Sequence, residues 1–267
     1  MLRYKKMKFA KMAATGNDFI LFDNREKVFK GDEQPYFHHI CRRRFSIGAD
    51  GIILLEKSKS ADFKYRHFNA DGFPVKICGN GARAVCRYAS LKKITGTNMT
   101  FEAEGVPYNG WCSEDEVTID HPAPMDIQTQ IEIAHEKIFK GGGSVVVGVP
   151  HLVIFSEDIQ KINVLKLGRK YRFHPFFKQG TNVNFVQIVD SKTLKIRTYE
   201  RGVEGETLAC GTGAMASALI SHLSKGLKIP VTVETRGGIL RVRWDKGFSM
   251  LYLSGQAGLT FEGHIEI

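Results

Sequence analysis

The alternation of hydrophobic and polar residues predicts a chain built mainly of short strands, with two longer helical segments. Short apolar runs bounded by Gly, Pro, Asn or Asp are typical of strands. Predicted strands lie within residues 7–22, 52–55, 63–68, 100–105, 106–111, 117–120, 144–149, 152–155, 194–199, 231–234, 239–244 and 250–253. Apolar helical segments lie at 85–91 and 218–223. Because strands and helices do not alternate regularly, the pattern predicts an α+β fold and not a parallel doubly wound sheet.

Two short segments of the chain look like copies of each other. Residues 78–84 and 210–216 each begin with a cysteine, pass through two glycines and lead into one of the apolar helical segments. The offset of 132 residues persists further on, where residues 100–102 fall opposite residues 232–234. A fixed offset through a motif, a helix and a following strand indicates an internal duplication of domain size.

A Pro-rich segment near the middle of the chain is the best candidate for a domain boundary. Residues 121–124 read His-Pro-Ala-Pro, a sequence that does not suit the interior of a strand. We therefore predict an N-terminal half, residues 1–120, that carries Cys78, and a C-terminal half, residues 121–257, that carries Cys210.

Composition limits the possible partners and the compartment. The formal charge is +10, but Lys and Arg are spread along the chain and no nucleic-acid motif accompanies them, so a solvated basic surface is expected. No apolar run approaches the roughly 20 residues of a membrane helix, and residues 1–11 do not resemble a secretory signal. Five cysteines without framework spacing favour a reducing compartment. These features predict a cytoplasmic protein that binds neither nucleic acid nor membrane.

Dinucleotide binding is the first of three interpretations of the repeated motif. Residues 79–84 and 211–216 both fit a loose Gly-x-Gly-x-x-Ala pattern, and Glu102 and Glu234 lie about 20 residues further on, where a ribose-binding acid is expected. The segments before the motifs are charged or contain proline, so neither is the buried strand that the fingerprint requires. The duplication explains the paired glutamates better.

A metal site or a disulfide is the second interpretation. The chain has no Cys-x-x-Cys, and His121, His151 and His174 do not form a ligand spacing with the cysteines. A disulfide between Cys78 and Cys210 is conceivable, but in a reducing compartment it would be a product of oxidation and not a structural bridge. No metal is expected.

Acid–base chemistry by two thiols is the third interpretation and the one favoured. A helix N-terminus carries partial positive charge, which favours a thiolate and holds an anion such as a carboxylate. If Cys78 and Cys210 flank the α-carbon of one amino acid, one thiolate removes its proton and the other thiol delivers a proton to the opposite face. Cys41, Cys86 and Cys112, outside the motif, are expected to be buried core residues.

Eight ordered motifs carry a resemblance to the diaminopimelate epimerase family over nearly the whole chain. They lie at residues 15–19, 47–51, 68–72, 78–83, 150–151, 181–185, 200–202 and 206–213. The resemblance implies two pseudo-symmetric α+β domains, each a curved sheet or barrel wrapped around a central helix. It also implies that a strand near the C-terminus, within residues 258–267, returns to the first domain.

The resemblance also implies roles for individual residues. Cys78 and Cys210 would be the base and acid pair, and His151 and Glu200 would tune the ionisation of the thiols. Residues expected to hold the substrate are Asn17, Asn69, Gly79, Asn80, Asn182, Glu200, Arg201, Gly211 and Thr212. Arg201 suits a distal carboxylate, because its guanidinium binds such groups bidentately. The family needs no cofactor, so none is expected.

One departure from the family pattern bears on the substrate. Many members have Asn before the Pro-His pair, where this chain has Val149. The expected function is epimerisation of LL- to meso-diaminopimelate, for lysine and peptidoglycan precursor synthesis in a bacterial cytoplasm. Val149 keeps open a racemase of another amino acid, such as glutamate or histidine, or an enzyme of broad specificity. A non-catalytic small-molecule binding protein on the same scaffold is the other alternative. The sequence is compatible with a homodimer.

Overall fold

A computed structural model describes residues 6–30, 32–133 and 139–266 of the chain. The chain folds into two compact units. The first unit consists of residues 1–119 and 255–267, and the second of residues 120–254. Each unit combines strands with α-helices, so the predicted α+β class is confirmed.

The elements follow one another in a similar order in the two halves of the chain. The first ten are β1 (Lys6–Ala14), β2 (Asn17–Asp23), α1 (Gln34–Cys41), β3 (Gly51–Glu56), β4 (Phe63–Asn69), β5 (Pro74–Val75), α2 (Gly79–Leu91), β6 (Asn98–Ala103), β7 (Val106–Cys112) and β8 (Val117–Pro122). The others are β9 (Met125–Gln128), β10 (Phe139–Val147), β11 (Val149–Ser156), α3 (Val164–Arg172), β12 (Asn182–Ile188), β13 (Thr193–Glu200), β14 (Gly205–Thr207), α4 (Gly211–Lys225), β15 (Val231–Thr235), β16 (Gly238–Trp244), β17 (Met250–Gly255) and β18 (Gly258–Glu266).

Strand pairing in the first unit is mixed. β2 pairs antiparallel with β1 and parallel with β3, and β3 pairs antiparallel with β4. β4 is antiparallel to β5 and parallel to β6, and β6 and β7 form an antiparallel hairpin. β18 lies antiparallel along β1, as the resemblance implied, while Ile267 lies outside the described residues.

The second unit repeats this pairing scheme strand for strand. β11 is antiparallel to β10 and parallel to β12, and β12 is antiparallel to β13. β13 pairs antiparallel with β14 and parallel with β15, and β15 with β16 form the antiparallel hairpin. β9 pairs antiparallel with β10, as β18 pairs with β1 in the first unit. The topology therefore carries the same duplication as the sequence motifs.

Each unit wraps its strands around one central helix. α2 packs against β1, β2, β3, β4, β7 and β18, and α4 packs against β10 to β13, β15 and β16. Both helices are rich in Ala and other small residues, which lets the surrounding strands approach closely. α4 ends at Gly226, whose φ of 74° gives the left-handed cap that favours glycine. Neither helix, nor any other in the described ranges, has the length and apolar content needed to cross a membrane.

Aromatic and aliphatic side chains form the apolar core on the other face of each sheet. In the first unit this core includes Phe22, Phe37 and Phe68 beneath α1, and Phe37 packs edge-on against Phe68 at 4.9 Å between ring centroids. In the second unit the corresponding core includes Tyr171 of α3 and Phe185 of β12. The central helices are thus held in place by sheets that are themselves packed on both faces.

The sequence pattern missed some elements. It treated residues 150–151 as an interruption of one strand, but Gly148, with a φ of 67°, turns β10 back into β11 as a hairpin. The helix α3 was not predicted, because four of its nine residues are Lys or Arg and a glycine interrupts its apolar positions. Asn163 caps it by accepting a hydrogen bond from the backbone N–H of Lys166 at 3.0 Å. The Pro-rich segment 121–124 was not expected to lie inside a strand, but β8 includes His121 and Pro122.

Candidate active site

The two motif cysteines occupy the same backbone position in their units. Cys78 and Cys210 are the N-cap residues of α2 and α4, both with extended backbone and neither with a side-chain cap hydrogen bond. The first intrahelical bonds run from Ala82 N–H to Cys78 O at 2.8 Å and from Ala214 N–H to Cys210 O at 2.9 Å. The thiols therefore project at the positive ends of two helices, where N–H groups of the first turn lack helical partners. Neither cysteine is part of a disulfide.

The second glycine of each motif is required by a polar side chain beneath the helix. A Cβ placed on Gly81 would lie 2.5 Å from Tyr65 Oη, and one on Gly213 would lie 2.5 Å from Asn184 Oδ1. Real Cβ atoms do not approach oxygen so closely. These glycines therefore let the first helical turn sit directly on a strand of its own sheet, in addition to leaving the backbone accessible.

A line of hydrogen bonds in the first unit joins four side chains beside Cys78. Arg83 Nη2 donates to Asn80 Oδ1 at 2.7 Å, and Asn80 Nδ2 donates to Asn17 Oδ1 at 2.7 Å. Asn17 Nδ2 then donates to Asp50 Oδ2 at 2.9 Å. Two predicted substrate-binding residues, Asn17 and Asn80, are thus in direct contact, between two residues that the sequence analysis did not assign.

The guanidinium of Arg83 is fully buried. It also donates to Thr15 Oγ1 at 2.9 Å and to Gly79 O at 3.2 Å, and it forms no ion pair with a carboxylate in the part of the chain that the structure describes. Burial lowers the pKa of Arg83 to about 10, opposed chiefly by the negative charge of the Cys78 thiolate. Arg83 and Cys78 are therefore close enough for their charges to interact.

Charged residues hold the outer end of this line. Arg43 bridges Asp18 and Asp50, donating to Asp50 Oδ1 at 2.9 Å, and the nearly buried Lys11 pairs with Asp18 at 2.8 Å. Burial by itself raises the pKa of Asp18, but hydrogen bonds from Arg43 and Lys11 outweigh it and lower the pKa to about 2. The turn that carries Asn17 is thereby anchored by ion pairs.

Asn69 is the predicted substrate-binding residue of the first unit that stands apart from this line. It is the last residue of β4, opposite Gly51 of β3, and its backbone closes the turn that leads towards Cys78. Its side chain is exposed and makes no hydrogen bond to a described residue. The amide of Asn69 is therefore available to a ligand.

In the second unit, a carboxyl group lies beside the thiol. Glu200, the last residue of β13, is half-buried and accepts hydrogen bonds from Thr207 Oγ1 and from the side chain of Cys210. Burial raises the pKa of Glu200, and those two hydrogen bonds oppose the rise. Thr212 Oγ1 lies 3.6 Å from Cys210 Sγ. Glu200, held by Thr207, and Thr212 thus lie beside a cysteine that is only 7% exposed.

The hydrogen bonds of Asn184 fix the tautomer of His151. Asn184 Nδ2 donates to the carbonyl of Leu152 at 3.1 Å, and Thr198 Oγ1 donates to Asn184 Oδ1 at 3.0 Å, so the orientation of the amide is set. The remaining amide hydrogen points at His151 Nδ1, 3.2 Å away, which must accept it. Neutral His151 therefore carries its proton on Nε2.

His151 is fully buried and electrically neutral. Burial lowers its pKa to about 3, and the charges of His121 and Arg201 act in the same direction. Its Nε2 is buried and has no hydrogen-bond partner among the residues described. His151 thus presents one uncommitted N–H donor, held rigidly by Asn184.

Asn182 and Arg201, both predicted to bind substrate, are joined through the backbone. Asn182 lies opposite His151 in the parallel pairing of β11 with β12, and its Oδ1 accepts the backbone N–H of Arg201 at 2.7 Å. The amide nitrogen of Asn182 is consequently turned away from Arg201. The half-buried Arg201 donates to Gln179 O at 3.2 Å and keeps further donors.

The other three cysteines differ from the motif pair. Cys41 and Cys86 are buried, as predicted, and burial raises the pKa of Cys41 to about 12. The prediction was wrong for Cys112, which is only half-buried at the end of β7, where burial raises its pKa. Across residues 6–30, 32–133 and 139–266, no three His, Cys, Asp or Glu side chains cluster as a metal site would require.

Several residues of these sites were not assigned from the sequence, among them Asp50, Arg83, Asn184 and Thr207. All four fall inside the quoted motifs, at 47–51, 78–83, 181–185 and 206–213, so their position was a signal. Arg83 in particular stands on an apolar helix face where the matched residue of the second motif is Met215. A charge at a position that the duplication makes apolar indicates a role other than packing.

Comparisons with known proteins agree on one family. The family model described as diaminopimelate epimerase matches residues 9–119 and 143–260. Diaminopimelate epimerase of Aquifex aeolicus is 39% identical over 276 residues, covering 97% of this chain and 98% of the relative. That of Chlorobaculum tepidum is 39% identical over 263 residues, covering 96% and 100%.

Solved structures extend the likeness of fold. A phenazine biosynthesis protein of the PhzF family from Bacillus anthracis superposes with a TM-score of 0.77 at 14% identity, over 98% of this chain and 100% of that one. A hydroxyproline epimerase from Agrobacterium vitis superposes with a TM-score of 0.69 at 13% identity, over 100% and 94%. At these identities the likeness concerns the fold alone.

Proposed function

Because the chain belongs to the diaminopimelate epimerase family, we propose that it interconverts LL- and meso-diaminopimelate by inverting one α-carbon. The observation that carries this proposal is that each motif cysteine caps the central helix of its unit without a capping hydrogen bond from its side chain. Inversion needs a base and an acid acting on opposite faces of the α-carbon. Cys78 and Cys210 take these two roles and exchange them when the reaction runs in reverse.

The helix ends supply the electrostatic part of the mechanism. In the proposed complex the carboxylate attached to the reacting carbon accepts hydrogen bonds from the backbone at Gly79 and Asn80 and at Gly211 and Thr212. These N–H groups also stabilise the negative charge that spreads into the carboxylate when the α-proton leaves. No metal, flavin or pyridoxal phosphate takes part in the proposed reaction.

The neighbours of each thiol support opposite protonation states at rest. The cation of Arg83 favours a thiolate at Cys78, whereas the carboxyl of Glu200 accepts a hydrogen bond from Cys210 and favours its thiol form. In the proposed resting enzyme, Cys78 is therefore the base and Cys210 the acid. The N–H on Nε2 of His151 adds a neutral donor that stabilises negative charge without releasing a proton.

The remaining predicted residues hold the distal end of the substrate in this proposal. Arg201 binds the distal carboxylate with its free guanidinium donors. Asn17 and Asn182, with amide groups oriented as described, and the exposed amide of Asn69 bind the distal amino and carboxylate groups together with Glu200. The reaction belongs to lysine and peptidoglycan precursor synthesis in a bacterial cytoplasm. A homodimer is part of the proposal, and sedimentation velocity would test it.

Deuterium incorporation at the α-carbon tests the proposed function. The enzyme is incubated in D₂O with LL-diaminopimelate, L-glutamate or L-histidine in parallel, and exchange is followed by NMR together with the appearance of the other stereoisomer. We expect exchange and inversion with LL-diaminopimelate. Exchange with none of the three would contradict an epimerase, and exchange with glutamate or histidine alone would contradict this substrate.

A second candidate is a racemase of another amino acid, and Val149 is the observation that favours it. Val149 is half-buried at the start of β11, two residues before His151, and supplies no polar group there. A site with one polar contact fewer discriminates less against substrates that lack the distal amino acid group. The glutamate and histidine arms of the exchange experiment measure this directly.

A further inference from the structure

Arg83 is an unusual residue for its position in the fold. It is 0% exposed on the first turns of α2, its Nε has no hydrogen-bond partner among the described residues, and no carboxylate of those residues pairs with it. A buried cation without a counterion destabilises a folded chain. The matched residue of α4 is Met215, also buried at 1% exposure, so the same helix position accepts an apolar side chain. Packing alone therefore does not explain Arg83.

The hydrogen bonds that join Arg83, Asn80, Asn17 and Asp50 can run in only one donor-to-acceptor direction. A guanidinium only donates hydrogen bonds and an ionised carboxylate only accepts them. Asn80 must turn its oxygen to Arg83 and its nitrogen to Asn17, and Asn17 must turn its nitrogen to Asp50. Reversing either amide would set a donor against a donor. Each amide therefore keeps one N–H of fixed direction that no described residue uses.

The same guanidinium places a positive charge beside the first turn of α2, where Arg83 Nη1 lies 3.2 Å from the carbonyl oxygen of Gly79, the residue next to Cys78. The charge of Glu116 acts on Arg83, but no carboxylate of the described residues forms an ion pair with it. Arg43 and Lys11, which lie at the outer end of the line of amides, form ion pairs with Asp18 and Asp50. The Arg83 charge is not neutralised in this way, and it acts through an interior of low polarity, where charge interactions are strong.

We propose that Arg83 is a positioning residue which, with Asp50, fixes the direction of the Asn80 and Asn17 amides and supplies the counter-charge for the Cys78 thiolate. Its effect on substrate binding rests on the function proposed above, whereas its effect on Cys78 does not. Arg83 itself touches no reacting atom in this proposal. It acts on the substrate through the two amides and on proton abstraction through the thiolate.

Three variants separate the two effects. Arg83→Met introduces the residue that the second unit has at the matched position, Met215. Arg83→Lys keeps the positive charge but loses the planar set of guanidinium donors. Asp50→Asn replaces the carboxylate acceptor at the other end of the line by an amide that can donate. Arg87→Met is the matched control, because Arg87 lies one turn further along α2 and donates to the carbonyls of Ala257 and Ser113, with no bond to either amide.

The first readout is the pH dependence of Cys78 alkylation by iodoacetamide, measured without substrate in a Cys210→Ala background. We expect Arg83→Met to move the midpoint upwards by about one pH unit, as loss of a nearby charge does. Arg83→Lys should restore most of the shift, and Arg87→Met should leave the midpoint where it was. An unchanged midpoint in a folded Arg83→Met protein would contradict the proposal that Arg83 supplies the counter-charge for the Cys78 thiolate.

The second readout is the split between KM and kcat for LL-diaminopimelate in the otherwise native chain. We expect Asp50→Asn and Arg83→Lys to raise KM about tenfold, the size of one lost oriented hydrogen bond. Asp50 is partly exposed, so the Asp50→Asn variant can be tested even if Arg83→Met does not fold. An unchanged KM in Asp50→Asn would contradict the proposal that Asp50 and Arg83 fix the direction of the two amides. The two proposals can fail separately. If the unmutated chain does not epimerise diaminopimelate but Arg83→Met still shifts the alkylation midpoint of Cys78, the proposed function is refuted and the counter-charge role of Arg83 is supported.

Discussion

The surroundings of Cys78 and Cys210 show how a duplicated scaffold yields two different chemical groups. Both cysteines cap a buried helix, and the strands around that helix pair in the same order. Their polar neighbours differ in sign: Arg83 beside the first, Glu200 beside the second. The two units share one backbone frame, while the side chains near each thiol differ in charge. The proposed assignment of Cys78 as base and Cys210 as acid rests on this difference.

Removal of either thiol is expected to have the largest effect on this pair. We expect Cys78→Ala and Cys210→Ala each to lower the rate of epimerisation by about 10³-fold or more, because one face of the α-carbon then lacks its proton donor or acceptor. Each variant should still exchange the α-hydrogen of one stereoisomer in D₂O. Cys112→Ala, a half-buried cysteine outside the motifs, is the control. A single alanine variant with full epimerase activity would refute the paired mechanism.

Neutralising Glu200 should make the two thiols more alike. We expect Glu200→Gln to move the midpoint of Cys210 alkylation to lower pH by about one unit, because a nearby carboxylate disfavours the thiolate. This shift is opposite in sign to the one expected at Cys78 for Arg83→Met. Glu204→Gln, on the exposed turn that follows Glu200, should leave the midpoint unchanged. A shift to higher pH in Glu200→Gln would contradict the assignment of Cys210 as the resting thiol.

Asn184 offers a smaller test that concerns the second unit alone. Asn184→Asp keeps the shape but removes the amide donor, so His151 should move its proton from Nε2 to Nδ1, with kcat/KM about tenfold lower. The ¹⁵N chemical shifts of His151 report the tautomer. Asn184→Leu, which removes both polar atoms, should give a mixture of tautomers. An unchanged Nε2–H tautomer in Asn184→Asp would show that another group sets it.

The smallest expected difference between the two units is in how their stability depends on acidic pH. Burial lowers the pKa of His151 to about 3 and that of His67, in the first unit, to about 4. An unfolded histidine titrates near pH 6.5, so below that value the unfolded chain binds protons that the folded units do not, and stability falls as pH falls.

We expect His67→Leu to reduce this acid sensitivity by about 1.4 kcal/mol per pH unit between roughly pH 6.5 and 4. Urea unfolding at about pH 7, 6 and 5 measures the slope, and the exposed His264→Leu is the control. Equal slopes for His67→Leu and the parent chain would contradict the assignment of a neutral buried histidine.

The sequence by itself determined the repeated features of this protein. Residues 78–84 and 210–216, at one fixed offset, indicated two like halves, helices that begin after each cysteine, and thiols at their positive ends. Local signals suffice for this, because a glycine-rich motif followed by a small apolar helix specifies its own backbone. The strand that lies along β1 also followed from the resemblance, although its pairing joins the two ends of the chain.

Only the tertiary structure decided what surrounds each thiol. Arg83 and Asn80 are close in sequence, but Asp50 and Asn17 reach them from distant parts of the chain, and the direction of that line of amides depends on its two charged ends. The tautomer of His151 likewise depends on Asn184, Leu152 and Thr198, which come from three neighbouring strands of one sheet. Hydrogen-bond direction depends on donors and acceptors that are distant along the chain, and the spacing of residues in a sequence does not contain it.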